Sequence, residues 1–381
     1  MQICEKQKCT GCFACINVCP KQCIATQEDE MGHIYPVIDK QLCINCNLCK
    51  KVCPVNEKPD CVKPLKTFAA YSLDEDEHRK SSSGGVATAF SRKVIEAGGV
   101  VYGASSKFSD KIEHIRVENI EELEFLQGSK YVHSRIGESY SYVKKDLQNG
   151  RKVLFIGTPC QIAGLKNFLK VDNENLITVD LICHGVPSQK LLNDCVGKYK
   201  SPNSKISFRN SKGYSLEIKD IKENKLQYQK SLYKNFYYIG FMKSLYFRDS
   251  CYTCNYAKAE RCSDFTIGDF WGLNKNNVRF KHKDGVSVVL INTSKGKAFW
   301  RNAKNDFYYE ERSFEEAYNG NVQLRRPSVA HPKREAFKKA YIEKGFNTAF
   351  VKTMFQEIVK YRVLNIIKKN KFIMKCISKS R

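Results

Sequence analysis

The chain has 381 residues, is 42% hydrophobic and 27% charged, and carries 64 Lys+Arg against 40 Asp+Glu for a formal net charge of +24. That length and apolar content give about two or three globular domains and exclude a disordered chain, and no run of about 18 apolar residues is present to span a membrane. So large a positive excess calls for an anionic partner: an acidic redox protein, anionic lipid, a polyanionic cofactor or nucleic acid. No nucleic-acid recognition motif accompanies the charge, which ranks nucleic acid last. The N-terminus shows no apolar h-region, and 18 cysteines without an export signal point to a reducing compartment and metal ligation, so a cytoplasmic location is expected.

The first 58 residues carry the densest signal. Cys9, Cys12, Cys15 and Cys19 stand at C-x2-C-x2-C-x3-C with Pro20 next; Cys43, Cys46, Cys49 and Cys53 repeat that spacing 34 residues on, before Pro54. Thiolates at these intervals on a tight loop wrap a cubane iron–sulfur cluster, and in the two-cluster arrangement the fourth Cys of each run ligates the other cluster. The expected sets are Cys9, Cys12, Cys15 and Cys53 for the first [4Fe-4S] cluster, and Cys43, Cys46, Cys49 and Cys19 for the second. Zinc sites and a disulfide scaffold are the weaker alternatives, because zinc sites rarely show such a run twice. Cys4 and Cys23 fall outside the eight positions and read as small buried side chains. Residues 33–38 read as a short strand.

A linker with Pro59, Cys61 and Pro64 leads to a strand at residues 67–71, and Asp74, Glu75, Asp76 and Glu77 read as a solvated acidic turn. Ser81 to Gly85 open a helix with Val86, Phe90 and Val94 on one face. Small residues at a helix start leave N–H groups open to an anion, so a nucleotide or flavin phosphate is one reading and an ordinary capped helix start the other. Residues 98–103 give a turn and a buried strand. Residues 128–134 form a polar loop in which Lys130 is a candidate for holding a phosphate or a flavin carbonyl, and Ile136, Tyr140, Val143 and Leu147 mark the next helix.

Residues 152–157 and 175–182 are apolar strands, each followed by a helix, as parallel strands covered on both faces would be. Cys160 and Cys183 lie just past their C-terminal ends, where open α/β sheets place ligands. A basic, alternating stretch at about residues 200–250 reads as a β-rich insertion. Cys251 and Cys254 form a C-x2-C pair with Cys262 eight residues beyond. This is half a metal site, for which Cys160 and Cys183 are available as the missing thiolates; a zinc knuckle of Cys251, Cys254 and Cys262 with a His is the alternative. Residues 264–272 give a strand and an aromatic turn in which Asp269 and Trp271 shape a pocket, and residues 285–292 give another strand. From Pro332 onward there are 14 Lys or Arg against three Glu, with Phe350, Met354, Ile358, Tyr361 and Leu364 at helical spacing. The expectation is a docked helix with a charged outer face, in preference to one lying on a membrane surface.

In order, Ser82-Ser-Gly-Gly85, Gly128-Ser-Lys-Tyr131, Gly157-Thr-Pro-Cys-Gln161, Cys183-His-Gly-Val-Pro-Ser188, Cys251-x-x-Cys254 and residues 264–272, behind a two-cluster module, resemble the coenzyme F420 hydrogenase/dehydrogenase beta-subunit family in its bacterial branch. The resemblance spans roughly residues 1–330. It implies an FAD-containing oxidoreductase with a third [4Fe-4S] cluster held by Cys160, Cys183, Cys251 and Cys254, with Cys262 competing for the fourth place. It also implies FAD near Ser82, Gly84, Gly85, Lys130 and Thr158. His184 is a candidate proton donor near that flavin, a hydrogen-bond donor to a cluster sulfur, or a structural His in a tight turn.

The expected fold is α+β / α/β: a bacterial-type ferredoxin module at 1–58, a mixed α/β flavin-binding domain at 66–330, and a basic helical C-terminal region at 331–381. Electrons would pass from an acidic ferredoxin or flavodoxin through the clusters to FAD and an organic acceptor of the coenzyme F420 type or another, with a link to surface polysaccharide assembly implied by bacterial relatives. Two alternatives are an electron-carrier subunit docked on a partner enzyme, and a scaffold at the membrane face of a glycan-assembly complex.

Overall fold

The computed structural model describes residues 2–107, 111–210, 213–274, 278–279 and 285–369. The cysteine repeat is also a structural repeat. Short helices α1 (Ala14–Asn17) and α2 (Leu48–Lys51) follow equivalent turns, and the residues before them, Phe13 and Asn47, both take left-handed backbone. Between them β1 (Ile24–Glu28) and β2 (Ile34–Ile38) pair as an antiparallel hairpin. So small a module builds little core of its own: Ile3, Ala14, Ile24 and Val52 pack among the cysteine side chains and against the main body.

The body is built on eight strands in the order β13-β3-β12-β11-β7-β6-β4-β5: β3 (Lys66–Ser72), β4 (Val100–Ser105), β5 (Glu113–Val117), β6 (Val153–Gly157), β7 (Leu176–Leu181), β11 (Phe265–Asp269), β12 (Ser287–Ile291) and β13 (Phe307–Glu311). The central four, β11, β7, β6 and β4, run parallel, and the outer strands add antiparallel. Successive residues face opposite sides: Val100, Tyr102, Val153 and Phe155 pack towards α5 (Ser139–Gln148), α6 (Pro159–Leu169) and the N-terminal module. Val101 and Leu154 pack towards α4 (Val86–Glu96) and α9 (Ser294–Ala303). The strands therefore read as unbroken apolar runs because both faces are covered.

The predicted insertion is a three-stranded antiparallel meander, β8 (Ser204–Asn210), β9 (Gly213–Asp220) and β10 (Lys225–Ser231). It shares a core with α7 (Gln189–Val196), α8 (Phe236–Met242), α11 (Arg334–Lys344) and α12 (Phe346–Lys369). The remaining helix, α10 (Phe314–Gly320), packs beside β3 and β12.

Two expectations are corrected. The acidic turn is a helix, α3 (Glu75–Lys80), capped by the Asp74 carboxylate accepting from the Glu77 N–H. Glu77 is buried, where its carboxylate accepts from Ser72 Oγ at 2.9 Å and Arg92 Nε at 2.7 Å, so two partners replace the water the sequence suggested. The linker is pinned to the body, where Val62 and Arg261 exchange both backbone hydrogen bonds, at 2.9 and 2.8 Å. In α12, Phe350, Met354 and Ile358 face inward and Tyr361 is half-buried, but Leu364 is exposed. The outer face is charged as expected, with Lys352, Lys360 and Arg362 exposed, but it also carries exposed Val351, Phe355, Val359, Val363 and Ile366.

Candidate functional site

Each half of the N-terminal repeat donates its last cysteine across the module. One cavity is lined by Cys9, Cys12, Cys15 and Cys53, together with Cys4. A second is lined by Cys43, Cys46, Cys49 and Cys19, together with Cys23. These groupings coincide with the crossed sets expected from the spacing. The donor chemistry suits [4Fe-4S] clusters, since no carboxylate or imidazole lines either cavity. Cys4 and Cys23 are not mere packing residues. The Cys4 thiol lies beside both Cys9 and Cys53 and is the main influence that lowers Cys9 to about 6 and Cys53 to about 7. The sulfurs of Cys23 and Cys19 lie 3.4 Å apart. Gly11, at φ +67°, lets the Cys9–Cys12 loop pass beneath Arg248; a Cβ there would lie 2.6 Å from His133 Cε1.

A third thiol group forms at the C-terminal ends of the parallel strands. Cys160 opens α6 just beyond β6, Cys183 follows β7, and the loop after α8 brings Cys251 and Cys254. The four are close enough for their charges to act on one another, and burial first pushes Cys160 and Cys183 up to about 12. Arg261 braces the arrangement: it donates to Asp180 Oδ1 on β7 at 2.8 Å and to Tyr256 O at 2.8 Å, with both charged side chains buried. Cys262 is buried with its Sγ 3.9 Å from Pro159 O, near Cys61 beside the Val62–Arg261 bridge. Among the described residues no three His, Cys, Asp or Glu side chains close around a single metal ion.

The third group borders the first. Cys12 and Cys160 interact electrostatically, and α6 passes so near that a Cβ on Gly164 would meet Cys12 Sγ at 2.9 Å. Cys15 and Cys49 link the first cavity to the second in the same way.

A cleft of about 500 Å³ opens where the meander faces α3 and the loop after it. Its walls include Arg79, Lys80, Lys130, Lys205 and Arg209, with Glu124. Of the residues associated with FAD, Ser82 and Lys130 line it, while Gly84, Gly85 and Thr158 do not. Gly84 packs against β3, where a Cβ would meet Ala70 O at 2.2 Å, and Gly85 caps α4 with φ +79°. Thr158 caps α6 through Gln161 and lies 3.2 Å from Cys160 Sγ. Lys130 Nζ donates to the carbonyls of Phe125, Leu126 and Gln127 at 2.7–3.2 Å, and burial first pulls it down to about 7, so its ammonium is committed to the backbone.

Arg209 was not legible as a site residue. From β8 it forks onto Asp269 at 2.6 and 3.2 Å, reaches Ser82 O at 2.5 Å, and stacks over Tyr214 at 4.4 Å. Its only sequence signal was an arginine in a strand far from every motif. His184 is exposed to solvent, yet desolvation by the groups around its ring pulls its pKa down, and it feels the charges of Asp269 and Arg209. It therefore stands between the third thiol group and the cleft. Trp271 is exposed and does not line the cleft.

Two family models match the chain. Residues 8–56 match the 4Fe-4S dicluster domain, and residues 150–317 match the C-terminal part of the coenzyme F420 hydrogenase/dehydrogenase beta subunit. The chain is thus related to iron–sulfur oxidoreductase subunits, with a dicluster module ahead of a beta-subunit-like body. No curated protein matches it. Among solved structures, a chain of the F420-reducing [NiFe] hydrogenase complex from Methanosarcina barkeri is 20% identical, with 76% of this chain and 90% of that chain covered and a TM-score of 0.47. No helix among the described residues is long and apolar enough to cross a membrane.

Arg261→Met would leave Asp180 buried without a cation. A loss of about 3–5 kcal/mol in unfolding free energy is expected from denaturant titration, most of it recovered when Asp180→Leu is added. A single variant as stable as the parent would show that the pair bears no load.

Proposed function

We propose that the protein is an iron–sulfur flavoprotein oxidoreductase that takes electrons from an acidic ferredoxin or flavodoxin and delivers them to an organic acceptor in the cleft. The observation that carries this reading is the unbroken series of thiol groups, from exposed Cys46 through the first cavity to Cys160 beside the sheet edge. Cys9, Cys12, Cys15 and Cys53 would hold one [4Fe-4S] cluster, and Cys43, Cys46, Cys49 and Cys19 another. Cys160, Cys183, Cys251 and Cys254 would hold a third. Bound together, the clusters would supply single electrons and FAD would pool two for hydride chemistry.

The chain's own groups fit these tasks. The face around Cys46 exposes Leu42 and Ile44 within reach of the exposed lysines Lys21, Lys40 and Lys51, an apolar centre with a basic surround for an acidic carrier. In the cleft, Arg79, Lys80 and Lys205 suit the phosphates of FAD, while Arg209 holds Asp269 and the Ser82 backbone in register. Lys130 shapes the loop instead of binding phosphate, and His184, next to Cys183, would orient a ligand beside the third thiol group.

The second reading is an electron-carrier subunit that acts only on a partner enzyme. The beta-subunit description of the matching family favours it. The first reading is tested by dye reduction from reduced ferredoxin. Replacing Cys43 and Cys46 by Ser is expected to slow it at least about 10-fold, and added salt to slow the parent through loss of steering. Equal rates in parent and variant would sink it. Reduction seen only after a partner protein is added would favour the second reading.

A further inference from the structure

Arg248 is the largest fully buried side chain of the described residues. Its Nε donates to Cys9 O at 2.6 Å, one terminal nitrogen to Ile34 O at 2.9 Å, and the other lies 3.5 Å from Cys9 Sγ. The guanidinium stacks 4.1 Å over the Tyr35 ring. Among the described residues no carboxylate pairs with it, and neighbouring Asp249 is held by Arg334. His33 and His133 face it but are buried with unpartnered ring nitrogens, and burial first, then the Arg248 charge, holds both neutral. A guanidinium does not deprotonate in a protein, and a buried cation needs an anion. The anion within contact is the Cys9 sulfur and the cluster it would ligate.

We infer that Arg248 is a positioning residue that sets the reduction potential of the cluster at Cys9, Cys12, Cys15 and Cys53 above that of its partner. A cation and an N–H···S bond stabilise the reduced, more negative state of a cluster more than the oxidised one. No lysine or arginine hydrogen-bonds a sulfur of Cys19, Cys43, Cys46 or Cys49 among the described residues, and Lys21, Lys40 and Lys51 near them are exposed and solvent-screened, so the buried cation acts on one cluster only. One electron arriving at the exposed cluster would then run downhill to the inner one, with no bond made or broken. The inference needs only the two clusters of the dicluster module and stands apart from the flavin and third-cluster reading.

The test is an EPR-monitored redox titration of the anaerobic holoprotein without acceptor, comparing the parent with Arg248→Gln and Arg248→Lys. One of the two potentials is expected to fall, further for Gln than for Lys, with the other unmoved. Unmoved potentials, or equal shifts in both clusters, would overturn the role. If the Gln variant does not retain iron, the Lys variant decides alone: it lacks the fork onto Cys9, so an unchanged potential overturns the inference.

A separate observation concerns α12. Beyond a kink at Met354 and opposite the buried face, Phe355, Val359, Val363 and Ile366 are 43–62% exposed, spaced three or four residues apart. Lys360 and Arg362 are exposed among them, while the only acid of the helix, Glu357, pairs inward with Lys243 at 2.9 Å. We propose that this face rests on an anionic lipid surface, its apolar stripe entering the headgroup boundary and its cations meeting the lipid charge. Flotation of the full chain with phosphatidylglycerol-containing vesicles is expected to show salt-sensitive binding, absent with phosphatidylcholine alone. Phe355→Glu with Ile366→Glu is expected to weaken it at least about 10-fold. Absent binding, equal binding of the variant, or a dimer that the variant splits without any vesicle binding would overturn the proposal.

Discussion

Arg261 ties together the C-terminal strand ends at which Cys160 and Cys183 sit. It lies in the loop that carries Cys251 and Cys254, yet its charge is neutralised on β7 by Asp180, just ahead of Cys183. A buried ion pair is a poor source of net stability, but breaking it is costly, so it fixes one arrangement of two distant segments. The Val62–Arg261 bridge extends the same anchor to the linker from the N-terminal module. One side chain thus sets how the module, the strand ends and the C-x2-C loop meet.

The N-terminal module is joined to the body by close packing. Gly164 admits Cys12 against α6, Tyr256 donates to Pro54 O at 3.3 Å, and Arg248 crosses into the module to reach Cys9. A ferredoxin fold on a flexible tether would need none of these. The contacts gather on the side of the first thiol group, which leaves the second group, with exposed Cys46, facing outward. Such polarity gives the module an inside and an outside.

Much of this was legible because the signals were local. The repeated C-x2-C-x2-C-x3-C run announced both thiol sets and their crossing, and unbroken apolar runs announced β6 and β7. Cys160 and Cys183 could be set at strand ends because an apolar run stops where its sheet stops. What escaped notice depended on segments far apart in sequence. Glu77 looked solvated because its partners, Ser72 and Arg92, belong to β3 and α4. Gly84 and Gly85 looked like a ligand cradle, but the close approach they permit is to the protein's own strand and helix start. Arg209 and Arg248 were two among many cations, distinguished only by burial and by what they touch. The outer face of α12 was masked by its lysines, which sit beside the apolar stripe and not in place of it.

The central claim is that the body, and not only the N-terminal module, is built around redox groups. Anaerobic purification with iron, acid-labile sulfide and flavin quantified tests it most directly. About twelve irons, about twelve sulfides and about one FAD per chain are expected, four irons for each of three cubane clusters. About eight irons with no flavin would contradict it, leaving Cys160, Cys183, Cys251 and Cys254 as buried thiols and the basic cleft without its ligand.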